Sequence, residues 1–155
     1  MEATDARPDK PRFVYVIWIQ STAPKVFAAL QDPELTRDFW GRSRNVSTWQ
    51  VGARWRHESY DDPAVVDVTG EVCEIDPPRK LVLTWASAHA PGDVSRVTFT
   101  LDEQFGAVKL TVTHEELSAA AFEMTSMGWT AILSSLKSLL ETGQAMPATT
   151  RRWSR

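Results

Sequence analysis

The last third of the chain couples a strand-like segment to a long amphipathic one, and this pairing limits the folds available. Residues 107–114 alternate apolar and polar side chains, as in a half-buried strand. In residues 118–142, which Gly143 closes, apolar side chains recur at three- and four-residue steps: Phe122, Trp129, Ile132, Leu133, Leu136, Leu139 and Leu140. A helix with one apolar stripe needs a surface to cover. We therefore predict a long C-terminal helix lying on a sheet made by the preceding strands.

Two positions on this helix interrupt the row of bulky side chains. Thr125 and Gly128 are too polar or too small to fill a core layer beside Trp129. Their placement predicts a gap between helix and sheet, and such a gap is a place for a ligand.

The length and the ends of the chain predict a single domain. A chain of 155 residues can bury about 68–70% of its unfolded surface around one core. Residues 1–11 are polar and proline-containing, which predicts a disordered leader. Residues 12–143 form the predicted domain. Residues 144–155 carry Arg151, Arg152 and Arg155 without an acid, and we expect a flexible basic tail that adds little to the fold.

Charge and cysteine content exclude several classes of function. The net charge is −3 and the basic tail leaves the body more acidic still, which argues against a nucleic-acid-binding face. Cys73 is the only cysteine, so no intramolecular disulfide forms. No run of about 18 apolar residues could span a membrane, and no secretory signal begins the chain. We expect a cytoplasmic protein.

The rest of the chain predicts one strand, two short helices and then a series of strands. Residues 13–19 are mostly β-branched and aromatic. Ser21 and Thr22 precede Pro24, and Asp32 precedes Pro33, as helix caps precede a first-turn proline. From Trp49 onward a period of two indicates about six antiparallel strands joined by short turns, in residues 54–59, 66–75, 81–85, 97–101 and 108–114 among others. The predicted class is α+β.

Several short motifs, taken in order, resemble one known family. The chain is similar to bacterial homologues of the activator of Hsp90 ATPase, the Aha1-like family of the START-like (SRPBCC) superfamily, which also holds polyketide cyclases and plant ligand-binding proteins. The matching blocks are APKVFAAL at 23–30, DPE at 32–34, FWG at 39–41, Trp49, VG at 51–52, RWR at 54–56, GEVCEIDPPRKLVLTW at 70–85, VTFTL at 97–101, LTVTH at 110–114 and GW at 128–129.

The resemblance implies a helix-grip fold and a cavity for an apolar small molecule. In that fold a curved antiparallel sheet of about six to seven strands wraps the long C-terminal helix, and two short helices close one side. Strand alternation together with the fold predicts the cavity lining: Trp55, His57, Val68, Leu83, Trp85, Phe99, Leu110, Val112, Thr125, Gly128 and Trp129. The opposing hypothesis is that these side chains simply form a packed core.

Three functions remain open at this point. The first is binding of a small hydrophobic or aromatic molecule. The second is a chaperone-related protein-interaction module like the Hsp90 co-chaperones, with a role in stress response. The third is a cyclase, for which His57 or His114 would act as acid or base near Tyr60, Glu71 or Thr125. Because a histidine at a strand end is more often a hydrogen-bonded structural residue, we assign no catalytic residue.

We expect no metal and no cofactor. The three histidines and the cysteine lack the spacing of metal ligands, and no phosphate-binding loop is present. The expected partners are a small hydrophobic ligand and a possible chaperone, with no nucleic acid, and the expected state is a monomer or weak dimer.

Overall fold

The computed structural model describes residues 10–153 and contains seven strands, three helices and one short 3₁₀ turn. In chain order the elements are β1 (Phe13–Ile19), α1 (Ala23–Ala29), α2 (Pro33–Phe39), β2 (Ser43–Ser47), β3 (Arg54–Ser59), β4 (Val66–Asp76), β5 (Lys80–Ser87), β6 (Ser95–Gln104), β7 (Ala107–Glu115), α3 (Ala119–Thr142) and the 3₁₀ turn Pro147–Thr149. Most of the predicted leader, residues 1–9, lies outside the described residues.

All seven strands form one antiparallel sheet in the order β1-β7-β6-β5-β4-β3-β2. Strands β2 to β7 form a meander in chain order, and the last strand, β7, also pairs with the first strand, β1. Two register shifts, between His57 and Glu58 and between Val72 and Glu74, interrupt the ladders of β3 and β4. Such bulges bend strands. The predicted helix-grip fold, a curved sheet with a long C-terminal helix, is confirmed.

The helix boundaries follow from the capping residues. Thr22 and Asp32 accept hydrogen bonds from the amides of Lys25 and Glu34 at the starts of α1 and α2. Ser118 caps α3 in the same way, and Gly143 ends it in the left-handed conformation with φ of 84°.

Strand β2 is the element that no sequence pattern located. It carries no apolar row, and its inward residues Ser43 and Asn45 are buried polar groups. Each is satisfied by a backbone carbonyl, since Ser43 donates to Gly41 and Asn45 donates to Leu30. A strand whose buried side chains are polar gives no hydrophobic alternation to detect.

Helix α3 is buried against the sheet only from Trp129 onward. Trp129, Ile132, Leu133 and Leu136 are buried on the sheet, whereas none of residues 119–128 is buried. The second half is also tied to the end of β1, because Lys137 donates to the carbonyl of Trp18 over 2.6 Å and Glu141 accepts from the amide of Gln20 over 2.7 Å. The first third of α3 therefore covers the sheet loosely.

The segment after α3 packs on the domain, which differs from the expected free tail. Thr149 is completely buried, and its hydroxyl lies 2.6 Å from that of Ser135 on α3 and 3.0 Å from the carbonyl of Asp38 on α2. Its carbonyl accepts from the amide of Gly41 over 2.8 Å. The composition of this segment gave no sign of the contact, because the buried anchor is a threonine and the nearby Arg151 and Arg152 are exposed.

Candidate functional site

The space between sheet and α3 contains a continuous cluster of aromatic rings. Trp129 of α3 lies 5.5 Å from Trp85 and 5.7 Å from Phe99, measured between ring centroids. Trp40, which follows α2, contacts Trp129 at 5.4 Å, and Trp55 contacts Trp85 at 5.5 Å. Tilted and edge-on contacts at these distances are favourable packing arrangements.

One strand position makes room for the deepest tryptophan. The indole of Trp55 on β3 lies against Gly70 of β4 and donates to the carbonyl of Thr84 over 2.8 Å. A Cβ at position 70 would lie 1.9 Å from the Thr84 oxygen and 2.4 Å from the Trp55 nitrogen, closer than side chains can approach. Position 70 therefore requires a glycine, because the Trp55 indole and the Thr84 carbonyl occupy the space that a side chain would need.

His114 of β7 belongs to a hydrogen-bond chain inside the core. The Trp129 indole donates to His114 Nδ1 over 3.0 Å, and His114 Nε2 lies 2.8 Å from Ser95 Oγ. Ser95 in turn donates to the carbonyl of Trp85 over 3.1 Å. Because Nδ1 accepts a hydrogen bond, the proton of the neutral ring is on Nε2 and points at Ser95. Each side-chain polar atom in this series of hydrogen bonds therefore has a partner.

Burial keeps this imidazole neutral. His114 is fully buried, and loss of hydration lowers its pKa from 6.5 to about 4. Protonation would also place a proton on Nδ1 and break the bond from Trp129. The bond from Trp129 to His114 thus links α3 to β7 inside the core.

His57 of β3 is held in a similar way on the other side of the cluster. Its Nδ1 lies 2.7 Å from the Asn45 side-chain oxygen, while the Asn45 nitrogen donates to Leu30. The Asn45 oxygen is therefore the acceptor and His57 Nδ1 the donor. The ring also contacts Trp40 at 5.1 Å.

The structure brings nine of the eleven predicted lining residues together in the interior. All nine are buried except the half-buried Trp85: Trp55, His57, Val68, Leu83, Trp85, Phe99, Leu110, Val112 and Trp129. Their contacts with one another make this deep region a packed core.

Thr125 and Gly128 lie apart from that core. Thr125 is half-buried, and its hydroxyl donates back to the carbonyl of Ala121 over 2.7 Å. A Cβ built on Gly128 would meet only the Trp153 ring, at 3.8 Å. The space predicted beside Gly128 is therefore occupied by an aromatic ring from the C-terminal segment.

The interior is less covered where β1 faces the first third of α3. Phe13, Tyr15 and Ile17 point inward but are only half-buried, and Phe122 contacts Phe13 at 6.3 Å in an edge-on arrangement. This group of half-buried side chains, Phe13, Tyr15, Ile17, Phe122 and Thr125, is called the β1–α3 opening below. Its members on β1 were assigned to a strand from the sequence but not to a site, because alternation alone does not show which interior positions remain accessible.

One further surface feature, a cleft, lies outside the predicted site. A surface cleft of about 320 Å³ borders the β6–β7 turn and the start of α1, where Glu103 accepts from the amide of Ala23 over 2.6 Å. Within residues 10–153, no three His, Cys, Asp or Glu side chains are grouped so as to hold a metal ion. Over the same residues, no helix is both long and apolar enough to cross a membrane.

Comparison with solved structures supports the fold. Protein MLL2253 from Mesorhizobium loti is 25% identical with a TM-score of 0.72, over 84% of this chain and 97% of that one. PFC0360w, an HSP90 activator from Plasmodium falciparum, is 23% identical with a TM-score of 0.70, over 83% and 95% of the two chains. The Aha1 dimer from Colwellia psychrerythraea is 18% identical with a TM-score of 0.69, over 87% and 99%.

Comparison by sequence identifies the family. No curated protein matches this chain. Residues 20–141, which extend from the end of β1 almost to the end of α3, match the family described as Activator of Hsp90 ATPase homolog 1-like protein. The chain therefore belongs to the Activator of Hsp90 ATPase homolog 1-like family.

Proposed function

We propose that this protein binds a small hydrophobic or aromatic molecule between the sheet and α3. The ligand enters through the β1–α3 opening and rests against the half-buried face of Trp85. The deeper predicted lining, from Trp55 and His57 to Val68, forms the closed floor. No catalytic step is required of any residue.

The loose cover over β1 is the observation that carries this proposal. The other strands facing α3 bury their inward side chains almost completely, whereas Phe13, Tyr15 and Ile17 do not. The helix above them buries nothing over ten residues and exposes Met124 at 61% and Met127 at 74%. Partly covered apolar surface beside an aromatic interior is typical of ligand sites.

A paired substitution on α3 tests the site. Thr125→Trp fills the β1–α3 opening with a large ring, while Met127→Trp places the same ring on the exposed side of the helix. We expect wild type and Met127→Trp to bind 8-anilinonaphthalene-1-sulfonate and a long-chain fatty acid with a rise in Tm, since a ligand that binds the folded state more tightly than the unfolded chain stabilises the fold. Thr125→Trp should bind at least about tenfold more weakly, a loss of about 1.4 kcal/mol.

The same titrations can refute the proposal. Tryptophan emission reports directly on ligand near Trp85 and Trp129. Unchanged emission and unchanged Tm in wild type at saturating dye and fatty acid would remove the support for binding. Equal affinities in the two tryptophan variants would place any bound ligand elsewhere.

A protein-interaction role is the second candidate, and a different surface favours it. The outer face of the edge strand β1 exposes Val14 at 50%, Val16 at 46% and Trp18 at 38%, with the 92% exposed Phe105 beside Trp18. The HSP90 activator from Plasmodium falciparum shares the fold over 95% of its own length. An apolar row on an edge strand suits contact with another protein.

This role is tested by the ATPase rate of Hsp90 from the same organism. We expect the protein to raise the rate and Val16→Lys to abolish the effect, because a charge interrupts the apolar row. Val65→Lys is the matched control, since Val65 is 41% exposed outside β1. No stimulation by the wild-type protein, or equal stimulation by both variants, would rule out this surface.

A further inference from the structure

The end of the described chain places an indole beside two glycines, one in the turn after α2 and one on α3. A Cβ on Gly41, which follows α2, would lie 3.7 Å from Cδ2 of the Trp153 ring. A Cβ on Gly128 of α3 would lie 3.8 Å from Cζ3 of the same ring. We call this space, bounded by Gly41, Gly128 and the carbonyl of Ala148, the glycine slot.

The slot contains a hydrogen-bond acceptor, the carbonyl of Ala148, which is held in place independently of the Trp153 indole. The Trp153 nitrogen donates to the carbonyl of Ala148 over 2.8 Å. Ala148 lies in the 3₁₀ turn next to Thr149, whose buried hydroxyl and carbonyl contact Ser135, Asp38 and Gly41. Residues 150–153 can therefore leave while the two glycines and the acceptor stay fixed.

Residues 150–153 are docked by few contacts, and the main ring among them is partly open to solvent. Trp153 remains 41% exposed in its docked position. Arg152 contacts both carboxylate oxygens of Asp67, at 3.0 and 3.2 Å, with the arginine side chain 36% exposed and the aspartate side chain 14% exposed. Thr150 and Arg151 are exposed.

We propose that the glycine slot is a second binding site, separate from the β1–α3 opening, and that it takes a flat aromatic group bearing one hydrogen-bond donor. Trp153 occupies the site within the same chain and is displaced when such a ligand binds. The docked indole shows the shape and the polarity that the slot accepts. The two glycines leave space for a ring because they carry no side chains, and the carbonyl of Ala148 supplies the directional contact.

The slot is joined to the aromatic interior through the chain itself. Trp40 precedes Gly41 and Trp129 follows Gly128, and these two rings contact each other at 5.4 Å. A ligand in the slot would therefore lie next to Trp129, whose ring contacts Trp85, the side chain against which the proposed interior ligand rests, at 5.5 Å. The two proposals nevertheless rest on different residues and can fail independently.

Indole itself is the probe. Trp153→Ala empties the slot but leaves Ala148, and we expect indole to raise the Tm of this variant by roughly 3–6 °C at about ten times its dissociation constant, measured by calorimetry. Trp18→Ala is the matched control, because Trp18 is 38% exposed on the outer face of β1, and indole should not rescue it. In the double variant Trp153→Ala, Gly128→Leu, the leucine fills the slot and the rescue should be lost. Truncation after Thr149 repeats the test without relying on one substitution.

Displacement in the wild-type protein is followed by NMR. The indole N–H signal of Trp153, identified by its absence in Trp153→Ala, should move towards its position in the unfolded chain as unlabelled indole is added. The proposal is overturned if indole stabilises Trp153→Ala no more than Trp18→Ala. It is also overturned if the Trp153 signal stays in place at ten times the indole concentration that saturates Trp153→Ala. Dye binding at the β1–α3 opening is measured separately with Thr125→Trp, so failure at one site does not imply failure at the other.

Discussion

Individual positions in this sheet are determined by contacts across strands that sequence spacing does not reveal. Gly70 is the sharpest case, because the indole of Trp55 and the carbonyl of Thr84 both occupy the space where a side chain would stand. The glycine allows a bulky ring to lie flat on β4 and still reach an acceptor on β5. The consequence is a tryptophan that is 1% exposed yet keeps its N–H satisfied.

We predict that Gly70→Ala destabilises the domain by about 3 kcal/mol, because the new methyl group overlaps backbone that cannot move without breaking the ladder. Urea unfolding curves measure the change. Gly92→Ala is the control, since a Cβ there meets nothing within 4 Å, and it should stay within about 0.5 kcal/mol of wild type. Equal stability of the two variants would contradict the close approach of Trp55.

At the scale of single elements, α3 shows how a small residue can be misread. Gly128 lies on the helix where the sequence predicts a gap facing the sheet, but the ring beside it belongs to Trp153. The helix presents this position to the C-terminal segment and buries its neighbour Trp129 on the sheet.

Gly128→Ala should stabilise the protein by up to about 1 kcal/mol, because alanine is the better helix former and its methyl group meets only an ordinary contact at 3.8 Å. Thermal and urea denaturation both report the gain. A loss of stability would mean that the helix is packed more tightly at this point than the distances indicate.

The C-terminal segment adds an element that composition did not predict. Its anchor is Thr149, whose hydroxyl lies within hydrogen-bonding distance of Ser135, Asp38 and Met146. We predict that Thr149→Val costs about 2 kcal/mol, because it leaves buried polar partners unsatisfied. The exposed Thr150 gives the matched variant Thr150→Val, which should change the free energy of unfolding by less than about 0.5 kcal/mol. If both variants unfold like wild type, residues 144–153 are not part of the folded unit.

For the whole molecule, one buried histidine links stability to pH. The pKa of His114 is about 4 in the folded state against 6.5 in the unfolded state, so the unfolded chain takes up the proton first as the pH falls. The stabilisation is complete above pH 6.5 and is lost between pH 6.5 and pH 4. The slope approaches about 1.4 kcal/mol per pH unit, and the total is about 3 kcal/mol.

The variant His114→Gln isolates this contribution. Glutamine can accept from Trp129 and donate to Ser95 but does not titrate in this range. The variant should be less stable than wild type at pH 7, and its free energy of unfolding should depend less on pH between 5 and 6.5. Identical slopes for the two proteins would show that His114 is not the group responsible.

The amino-acid sequence determined the elements and their order, because capping residues and hydrophobic periodicity act over a few positions. Thr22, Asp32, Ser118 and Gly143 mark helix ends, and alternation marks most strands. Only the tertiary structure decided which interior positions remain accessible, because accessibility depends on what lies opposite. Phe13 and Phe99 both alternate inward, yet α3 covers the second with Trp129 and leaves the first half-buried. The roles of Gly70, Gly128 and Thr149 could be seen only in the tertiary structure for the same physical reason, because each of these residues contacts side chains or carbonyls from distant parts of the sequence.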